Sequence, residues 1–305
     1  MKTILNFELW ILVDENGRWC HIVHETEKMN ISHKVKTGIF ILKNNGLVAF
    51  LRALRAYLRT GNDTNRPDES KIVFEVLKAK RVKGLMIDVG AHWGSALAPF
   101  AHSGWEVFCF EPDSENRKRL EYLFRGLPNV VIDTRAVSDH PQEGAILYRS
   151  EESTGISGLS AFRPSHKATE KVDVTTLKCF FDEQGLSNRD VDFLKIDTEG
   201  FDLYVLKGIP WDKVTPRLIL CEFEDAKTVP LGYTFHDLAN FLQEHGYKLI
   251  VSEWRPVKQY NGPHDWRCFK TYPCELENPK GWGNIFALKE GNMYDSLLNL
   301  CKVKP

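Results

Sequence analysis

Four acidic residues close four short apolar runs. Asp88 follows Leu85-Met86-Ile87, Glu111 follows Val107-Phe108-Cys109-Phe110, Asp197 follows Phe193-Leu194-Lys195-Ile196, and Glu222 follows Leu218-Ile219-Leu220-Cys221. Continuous apolar runs of this length read as strands buried on both faces. A sheet of such strands takes its ligands outside the carboxyl ends. The four carboxylates therefore locate a site before they define its chemistry.

The first strand runs into Asp88-Val89-Gly90-Ala91-His92-Trp93-Gly94. Glycine lets the backbone turn tightly and approach a ligand, and a strand–loop–helix junction aims N–H groups at that ligand. A dinucleotide site requires G-x-G-x-x-G, with the middle glycine against the pyrophosphate. The spacing here is G-x-x-x-G and the middle position is the bulky His92. That disfavours a pyrophosphate and suits S-adenosylmethionine (SAM), whose amino-acid end takes acids and backbone groups and carries no phosphate. Asp88, Gly90, His92 and Gly94 are expected to hold the cofactor. Glu111, at the second strand's end, is expected to accept both ribose hydroxyls in one bidentate contact. The third strand, Val130-Val131-Ile132-Asp133, leads towards the adenine, with Asp133 or the turn Arg135-Ala136-Val137-Ser138 in contact.

Methyl transfer from a sulfonium is an in-line displacement. Orientation alone contributes roughly 7–11 kcal/mol, and an alcohol nucleophile, where that is the acceptor, also needs a general base or a metal. The fourth strand supplies the candidates. Asp197 is expected at the reacting centre as base or metal ligand, and Glu199, opening the next helix, as a second contact. Lys195 stands two positions before Asp197 and shares its face of the sheet. Glu222, at the neighbouring strand end, is a third contact. These three carboxylates offer oxygen ligands to a Mg²⁺-like ion, although the sequence alone assigns no metal. His92, His236 and His264 are further base candidates. His264-Asp265-Trp266-Arg267 forms a polar-aromatic loop placed to touch substrate at the mouth of the site. The small-residue stretch Ser153–Ser160 reads as a mobile lid, with Ser157 against the substrate.

Three segments resemble the FkbM-type SAM-dependent methyltransferases: Leu85–Gly94, Phe110-Glu111-Pro112, and Leu194-Lys195-Ile196-Asp197-Thr198-Glu199-Gly200-Phe201-Asp202 followed by Val205-Leu206-Lys207-Gly208. The resemblance covers about Lys71 to Glu224 in order, and more weakly to Leu288. The family usually carries Asn where this chain has His92. The resemblance implies a Rossmann-like methyltransferase fold and O-methylation of a sugar hydroxyl in a polyketide, glycolipid or surface polysaccharide. Two other readings stay open: a non-catalytic SAM-fold binding or assembly protein, and a methyltransferase of a non-carbohydrate small molecule.

The elements that must position these residues alternate as strands and helices. Leu249–Val251 and Asn284–Leu288 complete the strands, and helices are expected from Asp68 to about Lys80, after Gly94, from about Ser114 to Arg125 and from Phe235 to His245. The fold class is α/β: a mostly parallel, seven-stranded sheet with helices on both faces. A small N-terminal extension, 1–66, precedes a catalytic domain, 67–305. The extension carries β-like runs at Leu9–Val13 and Ile39–Leu42. An amphipathic helix follows over Gly46–Arg59, with the stripe Leu47, Phe50, Leu51, Leu54, Leu58. No acid occurs between Lys28 and Asn62. This basic segment is expected to pack on the sheet domain or on a second subunit, or to draw the protein to an anionic membrane surface.

The whole chain is balanced: 305 residues carry 40 Lys plus Arg against 41 Asp plus Glu. Phosphate neutralisation favours a basic domain, so nucleic acid is not the expected partner; a small-molecule or glycan acceptor is. No apolar run approaches the ~20 residues of a membrane span. Glu8 interrupts any apolar signal core, and the 7 scattered cysteines form no C-x-x-C pair. A cytoplasmic protein with reduced thiols is expected, peripheral at the inner membrane face if the basic segment docks.

Overall fold

Alternate residues of the first strand feed two separate cores, and this sets the architecture. Leu85, Ile87 and Val89 pack with residues such as Phe180, Leu206 and Phe235. Met86 packs to the opposite side with Phe74, Phe100, Leu120 and Met293. A strand with apolar residues on both faces must be covered on both, which is why this run lacks polar alternation. In the computed structural model, residues 35–44, 46–48, 50, 51, 54, 66–79, 83–260, 264–289 and 291–303 are described.

In chain order the strands are β1 (Leu85–Val89), β2 (Glu106–Phe110), β3 (Val130–Asp133), β4 (Ala136–Val137), β5 (Gln142–Ser150) and β6 (His166–Thr175). They continue with β7 (Phe193–Ile196), β8 (Leu218–Glu224), β9 (Lys248–Trp254), β10 (Trp266–Thr271) and β11 (Trp282–Leu288). The main sheet has the order β10-β9-β11-β8-β7-β1-β2-β3. The ladders from β3 through β8 are parallel. β11 lies antiparallel between β8 and β9. The order reverses at β1, whose neighbours are β2 and β7. Both loops that leave this switch point carry the acidic residues singled out above.

The expected Rossmann-like α/β sheet is present, with eight strands in place of seven. The extra strand is β10, which folds back antiparallel on β9. All six of its residues are partly exposed, so this edge strand shows no buried run to read. A second, three-stranded sheet of order β4-β6-β5 was also not expected. It closes on Ala136, Ala145, Leu147, Val172 and Val174, and its β5–β6 connection carries the stretch read as a lid.

Residues 35–44 are helical, so the β-like run Ile39–Leu42 is corrected to helix. The β-branched Ile39 and Ile41 misled the local reading. Tertiary contact decides instead: the Phe40 ring sits 5.2 Å from that of Tyr122 on the helix Ser114–Phe124. Residues 46–48, 50, 51 and 54 are also helical. The Leu9–Val13 run, the residues around Leu58 and Arg59, and most of the 61–67 boundary lie outside the described residues. Among the described residues no helix is long and apolar enough to cross a membrane.

Candidate active site

At the end of β1 the chain turns through Gly90, at φ +82°. A Cβ there would stand 1.9 Å from the carbonyl oxygen of Asp197. Only glycine lets the loop after β1 lie against the loop after β7. Gly94, at φ +78°, faces Phe124 and Leu120 so closely that a Cβ would meet them at 2.3 and 2.7 Å. His92 adopts φ +50° without being glycine, and such a left-handed residue persists only where its surroundings hold it. Its N–H donates to Glu111 Oε2 at 2.6 Å. Its ring stacks on Trp93, and Nε2 lies 3.1 Å from Thr154 Oγ1. Burial holds the His92 pKa down, to about 4, so the ring is neutral.

Glu111 is buried, and its second oxygen accepts the N–H of Asp113 at 2.9 Å. Each carboxylate oxygen has two lone pairs, so each keeps one acceptor direction after these bonds. Burial pushes the Glu111 pKa up to about 8. The next turn is fixed by Asp113, which caps the helix Ser114–Phe124 and pairs with Arg149 of β5 at 2.7 Å.

A cleft of about 230 Å³ opens above this turn. Ala136, Val137, Leu147 and Leu159 give it an apolar wall, while Glu111 and Asn116 reach it from the β2 end and Lys195, Asp197, Thr198 and Glu199 from the β7 end, with β1 between those strands. The connection between β5 and β6 roofs it. Asn116 Nδ2 donates to the Thr154 carbonyl at 3.0 Å. Gly158 exchanges two backbone hydrogen bonds with Tyr148, and a Cβ on Gly158 would come within 3.3 Å of the Glu199 Cβ.

The second end is held by lysines. Lys195 Nζ lies 3.3 Å from both Asp88 Oδ1 and Asp197 Oδ2. Burial works against that ammonium, but the two carboxylates outweigh it and hold it charged. Asp88 is wholly buried, and burial raises its pKa to about 6 against the pull of Lys195. Asp197 exposes 40% of its side chain. Glu199, at φ +56°, is the second left-handed non-glycine residue of the site. Its Oε2 lies 2.7 Å from Lys227 Nζ, which also meets Glu222 Oε2 at 2.8 Å and Glu224 Oε2 at 2.9 Å. Burial raises Glu199 to about 7 despite the ammonium. Asp202 is buried behind them; burial raises it to about 6, and it accepts from Thr198 Oγ1 and from the Glu222 N–H.

Of the residues expected from the sequence, Gly90, His92, Glu111, Ala136, Ser157, Lys195, Asp197 and Glu199 line the cleft, and Gly94 supports its floor. Asp88 is sealed beneath Lys195. Asp133 does not line the cleft: its carboxylate is taken by Arg135 at 2.7 Å, which also binds Glu183. Glu222 lies behind, on Lys227. His264 packs edge-on to Trp282, 5.3 Å between centroids, and His236 bonds Tyr272; neither reaches the cleft lining. Glu199 does not open the following helix, which begins at Asp202.

Asp197, Glu199 and Glu222 bring carboxylate oxygens within 4.8 Å of one another. The ammonium of Lys227 already bonds two of the three, so the positive charge at this point is the chain's own and no metal ligand is assigned. Lys227, Glu224 and Asn116 were not singled out from sequence. Lys227 had one available signal: it follows Glu222 and Glu224 closely enough to fold back on a strand end.

The residues at the first end fit SAM. The Gly90 approach leaves no room for a Cβ, Glu111 in its ionised form keeps two acceptor directions for a ribose diol, and the apolar wall beside β4 suits a base. The profile of the methyltransferase FkbM domain matches residues 88–249. No curated protein sequence matches the chain. Among solved structures, an FkbM methyltransferase from Methylobacillus flagellatus KT is similar at 15% identity and a TM-score of 0.41. The match covers 67% of this chain, which spans only 44% of that protein. A precorrin-6y C5,15-methyltransferase from Geobacter metallireducens GS-15 matches at 13% identity and TM-score 0.39, covering 72% of this chain and 87% of that one. A Streptococcus mutans protein assigned as a methyltransferase and solved in complex with S-adenosylhomocysteine (SAH) matches at 11% identity and TM-score 0.37, covering 73% and 98%.

Proposed function

The chain belongs to the FkbM methyltransferase family, for which SAM is the methyl donor, and from that premise we propose that it methylates a hydroxyl of a sugar, glycolipid or polysaccharide precursor. One observation carries the reading. Two carboxylates, Asp197 and Glu199, enter the cleft from the β7 end, across β1 from Glu111, and the proton affinity of Glu199 is set near neutrality. A general base works best when its pKa lies near the operating pH. Among the described residues one lysine lines that end, Lys195, and it is already shared by Asp88 and Asp197. A phosphate or carboxylate on the acceptor would meet like charge there, whereas a neutral polyol finds acceptors for its hydroxyls.

When bound, SAM supplies a methyl group on a positively charged sulfur that leaves as a neutral thioether. Gly90 and His92 shape the backbone cradle, Glu111 takes the ribose hydroxyls, and Ala136, Val137, Leu147 and Leu159 enclose the base. Glu199 takes the proton of the attacking hydroxyl. Asp197, paired with Lys195 at 3.3 Å, accepts a hydrogen bond from a neighbouring hydroxyl and so orients the ring. The roof from Thr154 to Leu159 lies against Glu199, which is buried, and leaves Asp197 partly open to solvent.

Calorimetric titration with SAH, followed by SAH release over a panel of neutral glycans and glycolipids, tests this. Binding with turnover on a neutral hydroxyl acceptor is expected. Binding without turnover on any hydroxyl would favour the non-catalytic alternative, and turnover only on amines would reject O-methylation.

A further inference from the structure

Lys227 is 2% exposed and belongs to neither strand end that frames the cleft. It comes from the helix Asp225–Thr228, directly after β8. That helix presses on the loop that carries Glu199: Gly200, at φ +105°, is so close that a Cβ would lie 3.2 Å from the Lys227 Cβ. The ammonium then meets three carboxylates within 2.9 Å, from Glu199 on one side and from Glu222 and Glu224 on the other.

One ammonium among three buried carboxylates leaves two negative charges uncompensated where water is scarce. Like charges so placed cannot all ionise without cost, and each raises its neighbours' hold on a proton. The groups facing the cage from other elements do not cancel this. Lys195 is committed to Asp88 and Asp197, Asp197 itself raises the hold of Glu199 on a proton, and Asp202 adds a further acid. Tyr260 brings a hydroxyl 3.5 Å from Glu224 Oε1 and His264 lies beside it. Phe162 covers the ammonium at 5.6 Å, with Arg163 turned away onto the Tyr260 ring and His166 bonded to the Ile156 carbonyl.

We infer that Lys227 is the positioning residue of this site: its ammonium fixes the carboxylate of Glu199 at the cleft, while Glu222 and Glu224 compete for the same ammonium and keep Glu199 basic. The inference rests on the reading of Glu199 as the base. A lone lysine at 2.7 Å would lock Glu199 as a permanent anion, a good ligand and a poor base. Two rival carboxylates on the same ammonium weaken that hold. When the acceptor O–H bond breaks, its electron pair forms the O–CH₃ bond, the C–S pair stays on sulfur, and the proton rests on Glu199. One oxygen of Glu199 remains with Lys227 throughout.

The test needs no acceptor and is independent of the glycan panel. In the full chain labelled with ¹³C at glutamate Cδ, Glu199→Gln identifies the Glu199 resonance, and its titration is followed against pH. Lys227→Met is expected to raise the midpoint by about one pH unit or more, tenfold in proton affinity. Glu222→Gln is expected to lower it by a similar amount, and Lys227→Arg to restore the wild-type value. A purely structural role would move both variants the same way, and that result, or an unmoved midpoint in either, overturns the inference. If Lys227→Met does not fold, Glu222→Gln and Glu224→Gln still decide: both must lower the midpoint.

Discussion

The two ends of the cleft hold buried carboxylates by opposite means. Glu111 is satisfied by backbone N–H groups, from His92 and Asp113. Glu199 and Asp197 are satisfied by side-chain ammonium groups, from Lys227 and Lys195. Backbone donors are placed by the turn itself, so the cofactor end depends on φ and on close approach rather than on side-chain identity. Ammonium donors are placed by distant residues, so the other end depends on charge. The first arrangement suits a ligand that never changes within a family. The second can be retuned by single substitutions.

Gly90→Ala should have the largest effect, because it attacks the backbone arrangement directly. The new Cβ overlaps the Asp197 carbonyl and the residue must keep φ +82°, which costs roughly 1–2 kcal/mol before any clash. SAH binding is expected to vanish from calorimetry, and the melting temperature to fall by roughly 2–8 °C. Retained SAH affinity would show that the contact between the two loops is dispensable. Glu199→Gln probes the other end. Turnover should fall about 10²–10⁴-fold, with SAH affinity nearly unchanged. A parallel loss of both would mean that the two ends are not separable.

The pH dependence of stability sharpens the contrast further. Burial raises Glu111 to about 8, Glu199 to about 7, and Asp88 and Asp202 to about 6. The folded chain then binds more protons than the unfolded chain between the ordinary carboxylate range and these values. Stability is therefore fully present below the unfolded pKa values and is lost as pH rises through the folded ones. His92, lowered to about 4, runs the other way: its neutral ring favours the folded state as pH rises towards the ordinary histidine value. Burial also raises Glu222 and lowers His264; the raised carboxylates still outnumber the lowered histidines, so the ligand-free protein should melt higher near pH 6 than near pH 8.5. Glu199→Gln should remove the part of this slope around neutrality, and Glu111→Gln the part nearer pH 8. A flat profile in the unsubstituted chain would contradict both assignments.

The contrast also explains what could be read without coordinates. β1, β2, β3, β7, β8, β9 and β11 were legible because each is an apolar run with a hard boundary. The places of Gly90 and His92 in the cleft were legible because a tight turn writes itself into neighbouring residues, and that of Glu111 because it closes the next apolar run. β10 escaped because an edge strand needs no buried face, and β5 and β6 because their pairing partners sit beyond the lid they carry. Lys227 escaped for a different reason: its spacing after Glu222 and Glu224 points to those two acids, but its contact with Glu199 on the neighbouring strand's loop is long-range and leaves no local spacing. Asp133 shows the converse. Its place at a strand end suggested adenine, but Arg135, two residues on, claims its carboxylate.

His92→Asn should have the smallest effect and is the finest test of the comparison. Asparagine tolerates a left-handed backbone better than most residues, and the variant keeps the N–H that reaches Glu111. It loses only the ring, with its stack on Trp93 and its contact with Thr154. Thr154 stays tied through its carbonyl, which accepts from Asn116 and from the Ser157 hydroxyl. SAH affinity should therefore change less than about threefold, well under 1 kcal/mol, while amide hydrogen exchange quickens over residues 153–158, where the roof has lost one tether. Should SAH affinity collapse instead, the cofactor end would be relying on the imidazole rather than on the backbone that carries it, and the two ends would be built alike.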